Sequence, residues 1–301
     1  MAKKKNKKEA ETTVLENVNI TELVEVKEEG AIATFTKQSE EKTSKAKSEE
    51  QSMLEDLAEL ARLLGDTLDG LKKEFYLTQI KKIMSRVQKT LVRYDMTETE
   101  MQKIFSSANQ YGLGGITVAP AYMPNSVKQI KKCKAKINLC SIIDFPFGES
   151  SFKAKRSDVK ESLKRGANTI AVAMSSMMFN PENLKTLKKQ CKAFCRANKK
   201  GAGIVINATD LNEKSYANAT KYLNKTKLAF VTLAFGDATK EEVKNKLESL
   251  NSCGLTKKIY VLANIDNVDS IVEMFRYNVD CVLTPYADDI GNDLLKRFRL
   301  I

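Results

Sequence analysis

The chain contains no histidine and no tryptophan, and only 5 of its 301 residues are proline. Without imidazole, every Ser–His or Cys–His nucleophile, every histidine acid–base pair and every histidine-built zinc site is excluded. Chemistry would have to run on Lys, Asp, Glu, Tyr or Cys. The 6 cysteines (Cys133, Cys140, Cys191, Cys195, Cys253 and Cys281) include no CxxC pair. Cys191 and Cys195 stand one helical turn apart, which is adjacency rather than a metal signature, and reduced thiols in a cytoplasmic protein are the expectation. Nothing in the pattern calls for a metal or a cofactor. No run of about 18 apolar residues exists, and the N-terminal MAKKKNKKEAE lacks a signal peptide's apolar stretch, so neither a membrane span nor export is expected.

What is present is a large hydrophobic fraction, 42%, and a formal net charge of +12. The first supports a real core. The second makes nucleic acid a partner class to weigh, since clustered Lys and Arg release counterions from phosphates. The lysines, however, run through helices and loops without interleaved aromatics. Solvated basic faces are therefore expected, and nucleic-acid binding is not.

Composition divides the chain in three. Residues 1–50 mix Lys, Glu, Thr and Ser with few large apolar groups and read as a disordered charged tail; AIATFT (31–36) is the one stretch there that could form a short strand or docking peptide. Residues 51–90 read as an amphipathic helical extension. Leu54, Leu57, Leu60, Leu64, Leu68 and Leu71 recur at three- and four-residue spacing, then Ile80, Ile83, Met84, Val87 and Leu91 line one side of a second helix. Either helix could pack on the rest of the chain, or dock a protein partner or a second copy. Residues 91–301 alternate short apolar runs with charged helical segments. The runs are LVRY (91–94), GITVAP (115–120), INLCSIIDF (137–145), NTIAVAM (168–174), AGIVINA (202–208), LAFVTLAF (228–235), KIYVLAN (258–264) and VDCVLTP (279–285). Eight β-then-α units with nearly continuous apolar strands predict a parallel sheet buried on both faces, and eight close naturally into a (β/α)8 TIM barrel. An open doubly wound sheet is the alternative.

From Thr97 onward the chain resembles the deoxyribose-phosphate aldolase family, class I aldolases on this barrel. The resemblance rests on Thr97-Glu98-Thr99-Glu100 leading into ANQYGLGGITVAP (108–120), and on Ile204–Leu211. Its most recognisable passage is DFPFG (144–148) with Lys155 seven residues beyond the glycine and Gly166-Ala167-Asn168 closing the next helix. The resemblance implies retro-aldol cleavage of 2-deoxyribose 5-phosphate through a Schiff-base lysine, a second lysine that lowers its pKa, and a carboxylate to move protons. It also implies where they belong. The nucleophilic lysine falls on Thr232 and the partner lysine on Ala263. The relay aspartate falls on Ala171, and two further polar groups fall on Gly203 and Asn207. None of the five is retained. The family's glycine-rich phosphate turns are replaced by Asp266-Asn267 and Tyr286-Ala287-Asp288-Asp289, whose carboxylates would repel a phosphate.

The expectation is therefore an aldolase-like barrel that is catalytically inactive and acts as a structural or regulatory interaction protein, an oligomer or partner-bound through residues 51–90. Alternatives are an active deoxyribose-phosphate aldolase read out of register, with Lys155 as a displaced nucleophile, or a metal-assisted enzyme. For the last, Asp144, Asp210, Asp237, Asp266, Asp288 and Asp289 all follow predicted strands, although Asp is also favoured at turns and N-caps. Gly236–Lys240 lacks the glycine spacing of a phosphate loop. The candidate pocket is Thr117, Asp144, Lys155, Asn207, Thr232, Asn264, Asp266 and Asp288, with Tyr122, Tyr260 and Tyr286 near its mouth. Its ligand is not legible.

Overall fold

The computed structural model describes residues 69–92, 96–199, 201–298 and 300. The charged tail, the helix expected over Leu54 to Leu68 and the AIATFT stretch lie outside them. Two units are distinguished, residues 1–72 and residues 73–301, and the second is a barrel.

Eight parallel strands close on themselves in chain order, each neighbour pairing with the next and β1 with β8. They are β1 (Val87–Leu91), β2 (Gly115–Val118), β3 (Leu139–Ile143), β4 (Thr169–Met174), β5 (Ala202–Asn207), β6 (Phe230–Ala234), β7 (Lys258–Leu262) and β8 (Val279–Thr284). Helix α1 (Asp69–Met84) precedes β1. The helices that follow β1 to β8 are α2 (Glu98–Tyr111), α3 (Met123–Cys133), α4 (Phe152–Lys164), α5 (Leu184–Ala197), α6 (Glu213–Leu223), α7 (Lys240–Asn251), α8 (Val268–Phe275) and α9 (Ala287–Arg297). The expected (β/α)8 barrel is the observed one. Strands β2 to β8 fall inside the apolar runs that predicted them.

Local chemistry starts the helices where chain direction must reverse. Thr97 and Thr239 close capping boxes with Glu100 and Glu242, while Ser151, Asn212 and Asn267 each accept a backbone N–H of the first turn.

One boundary differs from expectation. The second helix stops at Met84, and Val87 and Leu91 belong to β1 rather than to the helix. Their spacing suits either element, but β-branched Val87 and Thr90 pair with β8 and β2, and that pairing closes the barrel. LVRY is thus the end of a strand, with residues 93–95 outside the described set. Within the barrel unit, Tyr76, Ile80 and Met84 of α1 are buried, and the Tyr76 ring stacks on Phe298 at 4.9 Å. This stretch of α1 therefore packs its apolar side onto the barrel, the first of the two roles the sequence left open. Among the described residues no helix is long and apolar enough to cross a membrane.

Candidate active site

Alternation along each strand decides what faces the barrel axis. An inner cluster of Cys140, Ile142, Ala171, Ala173, Val205, Phe230 and Ala234, joined by Phe145, Tyr260 and Leu262, fixes the parity. Thr232 lies between Phe230 and Ala234 with the same parity. It is fully buried, and its hydroxyl has no hydrogen-bond partner. Gly203 faces the same space. A Cβ there would stand 2.2 Å from the Phe230 ring, so the missing side chain is what admits that ring. Phe230 in turn stacks on Tyr260, centroids 4.4 Å apart and planes 9° from parallel. Burial raises the Tyr260 phenol, with the Cys281 and Asp280 charges adding to the shift, and keeps it neutral. Burial likewise lifts the Cys140 thiol to about 11.

Thr117, also fully buried, donates to Gln88 Oε1 at 2.9 Å. Inside the described barrel lies a cavity of about 340 Å³ lined by Gln88, Asn138, Cys140, Thr169, Ala171 and Tyr260 among others. Its further walls, Gly201, Ala229 and Lys258, sit at strand starts. The cavity therefore opens at the N-terminal ends of the strands, opposite the face where barrel enzymes do chemistry.

At the C-terminal face the candidate polar residues divide into separate pairs. Asn207 donates to Asp210 at 2.6 Å and accepts from Thr209 at 2.8 Å. Asn264 donates to Asp237 at 3.2 Å, and Asp266 accepts from Asn267 at 2.7 Å. Asn267 Oδ1 also accepts the Ser270 N–H at 2.9 Å, using a donor at the start of α8 that a phosphate would need. Asp288 is not in the pocket. It is drawn behind β1 by Lys89 at 2.5 Å and Ser107 at 2.6 Å, because Lys89, one residue out of phase with inward Gln88, points at the helices. Tyr122 is half-buried in the turn after β2, and Tyr286 is exposed. Among the described residues no three carboxylate or thiol groups lie close enough to hold a metal ion.

Asp144 and Lys155 do come together. Lys155 is not the loop lysine the sequence suggested: it sits in the first turn of α4 and is 3% exposed. Its ammonium donates to Gly148 O at 2.6 Å and Ala173 O at 2.8 Å, with Asp144 Oδ2 at 3.3 Å. Burial holds its pKa below the ordinary lysine range, and the Asp144 hydrogen bond and charge oppose that only in part. Three acceptors around three donors leave no free lone pair for attack on a carbonyl. Asp144, held at a positive φ of 59°, also accepts both the backbone N–H and the hydroxyl of Ser150. Gly148 is required by fit as well as by its φ of 68°, since a Cβ would meet the backbone of Ala173 and Met174 at 2.6–2.7 Å. The DFPFG segment and Lys155 thus form a clasp that fastens the β3–α4 loop onto the end of β4.

No protein-family model matches the chain. Curated relatives do. The deoxyribose-phosphate aldolase of Dictyoglomus turgidum is 23% identical over 216 residues, 71% of this chain and 98% of the relative. That of Mycoplasmoides pirum is 25% identical over 221 residues, 69% and 96% of the two chains. Among solved structures, the aldolase QR15 superposes with a TM-score of 0.63 at 17% identity, covering 73% of this chain and 98% of its own. The tetrameric deoxyribose phosphate aldolase of Aeropyrum pernix gives 0.61 at 19% identity, covering 75% and 98%. At 23–25% identity over most of their length these relatives support a place in the deoxyribose-phosphate aldolase family, and the solved structures share its fold.

Of the five positions that the resemblance marks as functional in this family, the fold brings Thr232, Ala171 and Gly203 to the barrel interior, with Asn207 at the upper end of β5. Ala263 is not among them. It follows the last residue of β7, and Leu262, across from Ala234, is the residue that joins the inner cluster. Counting in twos from Tyr260 would have found it. Tyr260, expected near the mouth, instead lines the cavity toward the strands' N-terminal ends, and Gln88 and Phe230 were missed because an amide or an aromatic near a strand start carries no catalytic signature in the sequence.

Proposed function

We propose that this protein is an aldolase-family barrel that does not catalyse, and that it acts as a structural or regulatory partner. The observation carrying the reading is Thr232: buried at the barrel axis, its hydroxyl unpartnered, at the position where the resemblance places the Schiff-base lysine. A hydroxyl cannot form an imine. The lysines near the barrel offer no replacement. Lys155 is held by three acceptors, Lys89 by Asp288, and Lys258 lies at the opposite rim. The Phe230 ring fills the space that a side chain at position 203 would take, which supports a core repacked for stability rather than for a sugar phosphate. The scattered acidic pairs at the mouth give no support to a metal-assisted reaction.

Assembly with a protein partner or a second copy is proposed to run through residues 51–90. Because Tyr76, Ile80 and Met84 face the barrel, the docking side falls to the residues before them.

A retro-aldol assay on 2-deoxyribose 5-phosphate, with borohydride trapping and mass spectrometry on the same sample, tests the reading. No cleavage and no reduced lysine adduct are expected from the folded protein. Cleavage together with an adduct would overturn the proposal, and the adducted lysine would name the true nucleophile.

A further inference from the structure

We propose that the groove between α4 and α5 binds a single-stranded nucleic-acid backbone. The groove has a volume of about 340 Å³, and its walls include Phe152, Arg156 and Lys160 from α4 and Lys189, Phe194 and Arg196 from α5. On α4, Phe152, Arg156 and Lys160 form one stripe at four-residue spacing. On α5, the small Ala193 and Ala197 separate Lys189 from Arg196 and leave the depression open. The sequence reads as scattered lysines without aromatics. Folding gathers them, with Phe152 and Phe194 packed edge to face at 5.8 Å beneath and the Arg156 guanidinium 5.6 Å from the Phe152 ring.

The charges are uncompensated. All four cations are exposed, and none makes an ion pair among the described residues, whereas Lys89, Lys128, Lys155, Arg165 and Arg297 each do. No acidic residue lines the groove. Of the two acidic residues of α4, Asp158 is not among the walls and Glu161 is taken by Arg165 at 2.8 Å, and α5 contains no acidic residue at all. Like charges four residues apart on a helix, such as Arg156 and Lys160, repel. Four unpaired cations in one depression call for a polyanion. None of the exposed large apolar side chains lies on α4 or α5, so a membrane would find nothing to insert. The phosphodiester strand is the occupant that fits: cations track its phosphates, and the half-buried Phe152 ring, backed by buried Phe194, offers one face that tolerates any base. This inference is independent of whether the barrel catalyses.

The test is fluorescence anisotropy of a labelled oligothymidylate, titrated with the intact chain across a salt series. Four phosphate contacts predict a slope of log affinity against log salt of about −3. The double variant R156E/K189E should bind at least about tenfold more weakly, with a slope shallower by about 1.4. The control K131E/K132E carries the same charge change on α3 and should stay within about twofold of the parent. Thermal unfolding of both variants, whose substituted side chains are exposed, checks that the fold survives. Equal weakening in the two variants would overturn the proposal, because net charge alone would then account for binding. Absence of binding at low salt would overturn it too, as would groove-dependent binding to phosphatidylserine vesicles without binding to the oligonucleotide.

Discussion

A threonine hydroxyl shut away from water with no acceptor costs about 1–3 kcal/mol relative to a paired one, while a methyl group in its place costs nothing of the kind. Thr232 is in that position. Thr232→Val should therefore raise the stability of the barrel by about 1 kcal/mol, seen as a higher denaturant midpoint at unchanged slope. A loss instead would mean that the hydroxyl meets an ordered water or a ligand at the axis. Its neighbour Gly203 gives the opposite sign. The Phe230 ring stands 2.2–2.5 Å from where a Cβ would be, and it is pinned by its stack on Tyr260. Gly203→Ala should cost about 1–3 kcal/mol through overpacking. Phe230→Leu in the same chain should recover most of that, since residues in contact couple. If the two changes simply add, the ring does not occupy the space that the glycine leaves.

At the level of elements, the segment of the sequence that looks most like an aldolase turns out to be architectural. Asp144, Gly148 and Lys155 fasten the β3–α4 loop to the end of β4. On the proposed reading, the passage is kept because losing the clasp would loosen the fold, whereas an inward lysine can be lost without harm to it. Lys155→Met keeps the length and apolar stem but strands two carbonyls and a carboxylate. It should destabilise the protein by about 3 kcal/mol, and Lys155→Arg should rescue only part, because a planar fork does not match three acceptors around one nitrogen. A K155M variant with parental stability would remove the clasp from the account. The same elements show what the sequence could and could not reveal. Near-continuous apolar strands and N-cap residues such as Thr239 announced seven of the eight strands and the barrel. The first strand hid because Ile80, Met84, Val87 and Leu91 fit a helical period as well as a strand end. Parity separated Leu262 from Ala263, and Lys89 from Gln88, by a single residue each, and that single residue decides inside from outside. Asp288 looked like a pocket residue because it follows a strand, and only Lys89, unseen as a strand residue, reveals where it goes.

For the molecule as a whole, the consequence of burying thiols and phenols in the barrel and beneath its helices appears at high pH. Cys140 is raised from 9.0 to about 11, and Cys191, Cys281, Tyr216 and Tyr260 are pushed up as well, burial being the largest cause each time. A group whose folded pKa is raised contributes stability that is fully present below its unfolded pKa and is lost as pH climbs through the folded one. For Cys140 the loss begins above pH 9 and runs through about 11, which is about 1 kcal/mol by pH 10. A second effect opposes it. The chain carries a net charge of +12 at neutral pH, and its exposed lysines begin to neutralise in the same window, easing self-repulsion. The two are separable, because salt at 1 M shrinks the screening length to about 3 Å and removes the surface contribution while leaving buried groups nearly untouched. Denaturant titrations at high salt should then show stability falling between pH 9 and about pH 11, with the decline shallower in a Cys140→Ala variant even though that variant starts lower from the small cavity it creates. A decline that is the same in both proteins would place the Cys140 thiol in contact with water, and the barrel interior would then be wetter than its apolar packing allows.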